Sequence, residues 1–407
     1  MPHILYLSYD GMTDPLGQSQ VIPYLQGLST AGYRISLISF EKDEQEAQRP
    51  TVEALLRESG IAWHPLSYTK NPPVFSTIKD IQTMGRKAAI LHHDDPVQLV
   101  HCRSYISALV GIDLKQKYGI KFLFDMRGFW ADERVEGGLW NKSNPLYLWS
   151  YQYFKKKELS FFQEADCTVS LTHAGKQEIH SWEGLKGHTV PIEVIPCCAD
   201  LSLFDAGKQP KQIEVRASLG LGPEHFVLAY LGSVGTWYLL PEMLQFFKQL
   251  HQSRPQARFL FITPDDPEFI QREATHQGVD YHLLTIVKSP RARVPYFLKA
   301  ADASIFFIKP SFSKKASSPT KQGEIMGMGM PIICNAGVGD TEQIVRQYQA
   351  GAVVKGFSFR DFKQVIDKID ALQDLDPARI RQGAQEVYAL EDGVARYRAI
   401  YRRLLGG

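Results

Sequence analysis

The run of this chain richest in chemistry is Ser318-Pro319-Thr320-Lys321-Gln322-Gly323-Glu324, followed by Gly329-Met330-Pro331-Ile332-Ile333. It reads as a loop, a short helix and a buried strand. Pro319 ends the preceding segment, and Thr320 can cap or open the helix. An open helix N-terminus presents unpaired N–H groups and a partial positive charge, which suits a phosphate. Lys321 adds a full charge in that first turn, where it opposes the helix dipole unless an anion arrives. Glu324 lies one turn below, on the same face as Thr320 and Lys321. A carboxylate there can accept hydrogen bonds from two neighbouring sugar hydroxyls. Gly323 and Gly327 inside the helix each cost about 1 kcal/mol against Ala, so something approaches the backbone closely. The plainer reading is a tight helix–sheet contact with a surface Lys–Glu pair, and on this segment alone both readings stand.

Other reactive side chains are scattered. Arg127 follows an apolar run and sits beside Phe129 and Trp130, where it could hold a substrate or a leaving phosphate; a salt bridge to Asp132 or Glu133 is the structural alternative. Lys314 and Lys315 fall in the Ser-rich stretch Ser311–Ser318, which reads as a solvated flexible loop able to close on a ligand. His173 follows a strand in Leu171-Thr172-His173, either facing a cleft or next to a helix cap. His92-His93-Asp94-Asp95 looks metal-like, but adjacent side chains on a helix point about 100° apart, so a solvated helix end is expected. Asp374-Leu375-Asp376, the one Asp-x-Asp, lies between helices near the C-terminus, a poor place for a metal–diphosphate site. No metal site is expected.

The elements that must position these residues alternate throughout. Strands are expected at Ile4–Tyr9, Ile35–Phe40, Val97–His101, Lys121–Phe124, Cys167–Leu171 and Glu193–Ile195, with helices such as Gln20–Ala31, Ser104–Tyr118 and Pro145–Phe162 between them. Residues 196–224 hold Pro196, Pro210, Pro223 and several glycines. A second series follows at Phe226–Leu231, Arg258–Ile262, His282–Thr285, Ala303–Phe307, Pro331–Cys334 and Gly351–Val354, then a helical stretch, Pro377–Leu405. This alternation predicts an α/β protein of two doubly wound, Rossmann-like domains with parallel sheets. Their expected extents are 1–200 and 225–389, with a linker at 201–224 and the helix at 390–407 returning to the first domain. Ligands in such sheets bind outside the strand C-termini, so the loops after strands are the candidate sites, facing a shared cleft.

The 407 residues fit two domains better than one core. A formal net charge of +2, its basic surplus in the second half, is too small to argue for nucleic acid. Five cysteines with no CxxC pair suggest a reducing compartment. The start, Met1-Pro2-His3-Ile4-Leu5, runs directly into a strand, and no run of 18 apolar residues exists. The expected location is cytoplasmic. Pro145–Phe162 interleaves Tyr147, Trp149 and Tyr153 with Lys155-Lys156-Lys157. That mixture suits either domain packing or peripheral contact with the inner face of a membrane.

These residues resemble a known family. Pro319-Thr320-Lys321 through Glu324 with Gly329-x-Pro331-Ile332-Ile333 resembles the donor-site signature of retaining glycosyltransferases of family 4 (group 1), which have the GT-B fold. Ile195-Pro196-Cys197-Cys198-Ala199-Asp200-Leu201 with Phe204 is similar to the family's interdomain segment. Tyr230-Leu231-Gly232-Ser233 resembles the first strand and phosphate-facing turn of its donor domain, and Ala301-Asp302-Ala303-Ser304 the strand before the donor loop. Gly17-Gln18-Ser19-Gln20 lies where the family has a Gly-rich first loop. Asp125-Met126-Arg127-Gly128-Phe129-Trp130 resembles the acceptor-side loop of the capsule and O-antigen subgroup. The likeness covers nearly the whole chain.

The resemblance implies a retaining transfer of sugar from a nucleotide-diphosphate donor to a hydroxyl on a sugar or lipid-linked acceptor, in cell-surface polysaccharide or glycolipid synthesis. It implies no bound metal or other cofactor. Donor-side residues would be Gly17, Gly232, Ser233, Lys288, Thr320, Lys321 and Glu324; acceptor-side residues would be Arg127, Trp130 and His173; Lys321 and Arg127 would serve catalysis. Two departures stand out. The first of the family's paired Glu residues falls at Ala316, and the Arg and Lys that often follow the Gly232-like glycine are absent from Ser233-Val234-Gly235-Thr236-Trp237. Lys321 and backbone N–H groups would then carry the diphosphate charge, with help from Lys288, Arg291, Arg293, Lys314 or Lys315. A nucleotide-sugar 2-epimerase, which shares this double-domain fold, is one alternative, and the departures keep open a second, a non-catalytic scaffold that binds sugar nucleotide.

Overall fold

The computed structural model describes residues 1–406 as two compact units. The first comprises Met1–Pro196 together with the chain from Leu390 onward; the second comprises Cys197–Ala389. In the first, β1 (His3–Ser8), β2 (Arg34–Glu41), β3 (Ile61–Ser67), β4 (Leu99–Arg103), β5 (Lys121–Asp125), β6 (Cys167–Ser170) and β7 (Ile192–Val194) form a parallel sheet ordered β3-β2-β1-β4-β5-β6-β7. In the second, β8 (Phe226–Leu231), β9 (Ala257–Ile262), β10 (Leu284–Val287), β11 (Ala303–Phe306), β12 (Ile332–Asn335) and β13 (Gly351–Val354) are ordered β10-β9-β8-β11-β12-β13. Central strands such as Phe226–Leu231 are buried along their whole length, as parallel strands covered on both faces must be.

The departures from the expected elements have local causes. The strand Ile61–Ser67 was not expected, because Pro65 interrupts its apolar run and its burial is mixed. It lies at the sheet edge, where a proline need not donate to a neighbour. Residues 282–283 are not strand: Tyr281–Leu283 form a 3-10 turn whose Asp280 side chain accepts from His282 N. The helix expected at Gln20–Ala31 is two, Pro15–Gln20 and Ile22–Thr30, broken at Val21 ahead of Pro23.

The stretch expected as a linker, 201–224, belongs to the second unit's core. Leu201, Phe204, Val215 and Leu221 are buried there among the strand side chains, so the boundary lies at Pro196. The C-terminal helical stretch breaks at Ala389, whose extended backbone (φ −60°, ψ 129°) pairs with Ala199. Beyond the break, Leu390–Leu405 packs on the helix Ile22–Thr30 of the first unit, with Tyr397 edge-on to Tyr24. Val394 occupies the space a Cβ at Gly27 would need, within 2.8 Å. Tyr397, Ile400 and Tyr401 are buried, each side chain contributing about 1.5–3 kcal/mol by removal from water.

Candidate functional site

Each sheet reverses its strand order once, between β1 and β4 in the first unit and between β8 and β11 in the second. Crevices for ligands open outside the strand ends at such points.

In the second unit, the turn after β8 meets the helix Thr320–Gly327. Gly232 has φ +101°, and a Cβ there would stand 3.1 Å from Lys321 Nζ, so the ammonium lies directly against this turn. Lys321 is buried, donates to Tyr230 Oη at 3.1 Å, and sits 3.5 Å from the ring centre of Tyr238 and 4.2 Å from that of Tyr230. Tyr230 Oη in turn donates to the Ser233 carbonyl. Burial pushes the Lys321 ammonium well below its usual pKa, against the opposing pull of Glu324 and Asp265. No carboxylate forms an ion pair with it among the described residues. A buried cation held only by aromatic faces and a phenol is electrostatically incomplete, and an anion would complete it. Thr320 is the first helical residue, Pro319 is the N-cap, and no side chain caps the helix start. Asp265 fixes the neighbouring turn by accepting from Val234 N (2.5 Å) and Thr263 Oγ1 (3.1 Å), while Ser233 is exposed.

Glu324 is buried one turn deeper, with Oε1 2.6 Å from Arg291 Nη1. Arg291 comes from the turn Arg291–Arg293 after β10, with its guanidinium 5.3 Å from the ring centre of Phe204. Arg291 thus meets the carboxylate of Glu324. The helix glycines answer to the chain itself: a Cβ at Gly323 would come within 2.8 Å of Tyr388, and one at Gly327 within 2.9 Å of Leu201. Lys288 is exposed one residue past β10. The stretch Ser311–Ser318 is not the solvated loop expected from its serines. Ser313–Ala316 form a 3-10 turn in which Ser313, Lys314 and Ala316 are buried, and Lys314 Nζ lies 3.6 Å from the centre of the Trp237 ring. Lys314 and Lys321 therefore occupy neighbouring aromatic faces, Trp237 and Tyr238.

Gly17 belongs to the first unit, whereas the residues above belong to the second. Its missing Cβ would stand 2.1 Å from the Gly11 carbonyl oxygen, so the glycine is required by packing within its own loop. That loop is clamped by buried Glu41, whose carboxylate accepts from Met12 N, Thr13 N, Thr13 Oγ1 and Ser39 Oγ.

At the first unit's reversal point, Ser104 directly follows β4 and Arg127 comes two residues after β5, and both have left-handed backbones (φ +67° and +58°). Each such non-glycine residue costs about 1–3 kcal/mol, a strain that tends to collect at functional sites. Arg127 Nη1 lies 3.7 Å from Asp125 Oδ2, rather than on Asp132, which is bound by Lys155 and Tyr151. Burial raises the Asp125 carboxyl, but Arg127, His101 and Arg103 together hold it below its usual range. Arg103, buried at the end of β4, donates from Nε to Asp10 Oδ2 at 3.1 Å, and its buried Nη1 has no partner. Arg103, the last residue of β4, was not singled out from the sequence; Asp10, two residues past β1, begins one of the loops that follow strands. Trp130 opens the helix Trp130–Glu136 and packs against Phe154 (4.7 Å between ring centres) and Trp140 (5.3 Å). His173 is exposed at the first position of its helix, behind a Thr172 cap that accepts from Gly175 N.

The metal-like runs are helix ends. His92 Nδ1 accepts from Val97 N, and Asp376 caps Pro377–Tyr388 by accepting from Ala378 N. Among the described residues no group of three or more His, Cys, Asp or Glu is arranged to hold a metal ion.

Two family models match the chain and together span most of it: Glycosyltransferase Family 4 over residues 20–203 and Glycosyl transferases group 1 over residues 211–387. No curated protein matches the sequence. Similar solved structures include sucrose-phosphate synthase from Thermosynechococcus elongatus (TM-score 0.74, 17% identity, covering 100% of both chains). HepE of Anabaena, in complex with UDP and glucose, gives a TM-score of 0.68 at 13% identity over 98% of each chain. WaaG, a glycosyltransferase involved in lipopolysaccharide biosynthesis, gives 0.67 at 14% identity, covering 99% of this chain and 100% of its own. With its two parallel α/β sheets and both halves matched, the chain belongs to the GT-B glycosyltransferases, its first half to family 4 and its second to group 1.

Proposed function

We propose that the protein transfers a sugar, with retention, from a nucleotide-diphosphate donor to a hydroxyl of a sugar or lipid-linked acceptor in cell-surface polysaccharide or glycolipid synthesis. The observation that carries the donor reading is Lys321, a buried ammonium at the Gly232 turn with no ion-pair partner among the described residues. HepE, solved with UDP and glucose, supports a uridine nucleotide sugar; WaaG's role in lipopolysaccharide biosynthesis supports a cell-surface product.

In this reading the second unit holds the donor. The Gly232 turn and the uncapped start of Thr320–Gly327 take the diphosphate, with Thr320 and exposed Ser233 beside it and Lys288 at the rim. Glu324, steadied by Arg291, accepts from the ribose hydroxyls. The bond from the anomeric carbon to the diphosphate oxygen breaks, and charge grows on that oxygen next to Lys321. The acceptor oxygen bonds to the anomeric carbon from the same face, and its proton passes to the departing phosphate oxygen. Arg127 in the first unit holds the acceptor or the leaving phosphate. Lys321 supplies the charge a metal would otherwise provide, so activity is expected to be metal-independent. No described helix is long and apolar enough to cross a membrane, and any membrane contact is proposed to be peripheral.

The test is incubation with UDP-, GDP- and TDP-sugars, with and without soluble and lipid-linked acceptors, in the presence of EDTA. Acceptor-dependent nucleotide release is expected. Epimerised donor without release would replace the transferase reading, and loss of turnover in EDTA restored by Mn²⁺ or Mg²⁺ would remove the metal-independent part.

A further inference from the structure

The first unit contains a pocket of about 380 Å³ bounded by Tyr9, Tyr68, Trp130, Trp140, Tyr153 and Phe154. Aromatic surface of this extent suits an apolar ligand of modest size. Three large hydrophobic side chains exposed to solvent also line it: Leu139, Trp149 and Ile78, at 64%, 55% and 43% exposure. Trp149 stacks on Tyr153 with ring centres 5.5 Å apart. The apolar lining therefore continues out to solvent, as it would if a chain entered from outside.

One wall carries a cation. Arg134, on the same helix as Trp130, lies with its guanidinium 4.2 Å from the centre of the Trp130 ring and 5.8 Å from that of Trp140. Its Nε is buried without a hydrogen-bond partner, and it forms no ion pair among the described residues. Glu133 and Asp10 act on it only from a distance, and burial lowers its pKa from the usual arginine value. Exposed Lys70 lines the same pocket. An arginine stays charged even there, so its desolvated face favours an anion with oxygens in a plane or fork. Neither a neutral sugar nor a plain hydrocarbon supplies one.

We propose that this pocket seats the alkyl phosphate end of a lipid-linked acceptor, with Arg134 holding the phosphate and the aromatic wall holding the first part of the chain. This rests on the reading of the first unit as acceptor-binding, and it names the acceptor's class. Arg134 is then a specificity residue: it separates phosphorylated from unphosphorylated amphiphiles, while the chain alone gives only general apolar affinity.

The test uses the full chain and decyl phosphate below its micelle concentration, with decanol and inorganic phosphate as controls. Trp130, Trp140 and Trp149 line the pocket and are half of the chain's six tryptophans, so intrinsic fluorescence reports occupancy. Decyl phosphate is expected to give a saturable change with affinity about tenfold to a hundredfold above decanol, the value of a charge-assisted hydrogen bond. Arg134→Gln should erase that advantage while decanol binding persists, and Arg134→Lys should restore part of it. Trp149→Ala, at the exposed rim, should weaken both alkyl ligands and keeps the test alive if Arg134→Gln does not fold. Equal affinity for decyl phosphate and decanol, an undiminished advantage in Arg134→Gln, or no effect of Trp149→Ala would overturn the proposal. UDP-sugar titration of the same variants separates the two readings. Unchanged donor affinity with lost decyl phosphate selectivity supports this site, whereas absent sugar transfer with intact decyl phosphate binding would sink the transferase reading alone.

Discussion

Arg291 Nη1 stands 2.6 Å from Glu324 Oε1, joining the turn after β10 to the second turn of the helix Thr320–Gly327. Glu324 Oε1 is buried, and apart from this ion pair it has no hydrogen-bond partner among the described residues. Glu324→Gln should weaken nucleoside monophosphate and whole donor alike by ~1.5–3 kcal/mol, or about one to two decades, because both carry the ribose. Arg291→Ala should weaken both by less, since it frees the carboxylate without removing it. Calorimetric titration with UMP and with UDP-sugar reads this out. Normal monophosphate binding by Glu324→Gln would remove Glu324 from the ribose.

Lys321 should show its role in turnover. Charge on the leaving diphosphate grows in the transition state, so Lys321→Ala should reduce kcat by more than it weakens donor binding. Steady-state turnover beside donor titration decides it, and a wild-type rate in the variant would refute the assignment.

The depressed pKa of Lys321 adds a second signature. Its ammonium is disfavoured by burial in the free protein and would be favoured beside a diphosphate. Donor binding should therefore take up a proton at pH values above the free-protein pKa and below the bound one. Affinity should fall as pH rises through that window. A UDP-sugar suits the measurement because its diphosphate diester does not titrate there. Calorimetry in buffers of different ionisation enthalpy measures the uptake, which should be absent in Lys321→Met.

Arg127 joins a strained backbone to a guanidinium proposed to serve the acceptor. Arg127→Ala should leave donor affinity nearly unchanged, because the residue belongs to the first unit, while transfer falls. Arg127→Gly should lose transfer equally yet recover about 1 kcal/mol of stability from the left-handed backbone. A large loss of donor affinity in either variant would place Arg127 elsewhere. So would full activity of Arg127→Gly.

His101 predicts how the first unit responds to acid. It is buried, with Nδ1 2.8 Å from Tyr401 Oη and Nε2 3.7 Å from Asp125 Oδ2, and burial lowers its pKa despite the pull of Asp125. A histidine whose folded pKa is depressed binds protons better when unfolded. Stability is thus full above the unfolded pKa of about 6.5 and declines as pH falls from there through the folded value. Urea unfolding between pH 7.5 and 5.5 should show this decline, and His101→Gln should flatten it. A profile as steep in His101→Gln as in the wild type would assign the acid sensitivity to other groups.

The sequence by itself determined the alternation of strands and helices, the two parallel sheets, and the placing of Thr320–Glu324 on one helix. Apolar runs and helix punctuation act over neighbouring residues, so they can be read locally. That Arg127 and Gly232 lie just past strand ends was also legible. Tertiary structure decided the rest. Lys321 reads as a solvent-facing first-turn lysine, but Tyr230 and Tyr238, some ninety residues away in the chain, bury it. Arg291 reads as one of several cations for a phosphate, and packing gives it to Glu324. The serines around Lys314 suggest a mobile loop, and Trp237 closes over it. Gly17 reads as a ligand-facing glycine, and the fold adds a second demand on it, the close approach of the Gly11 carbonyl. The first unit's aromatic pocket draws on helices and loops between Tyr9 and Phe154. No local pattern encodes such contacts, because their partners meet only when the sheet order brings distant strand ends together.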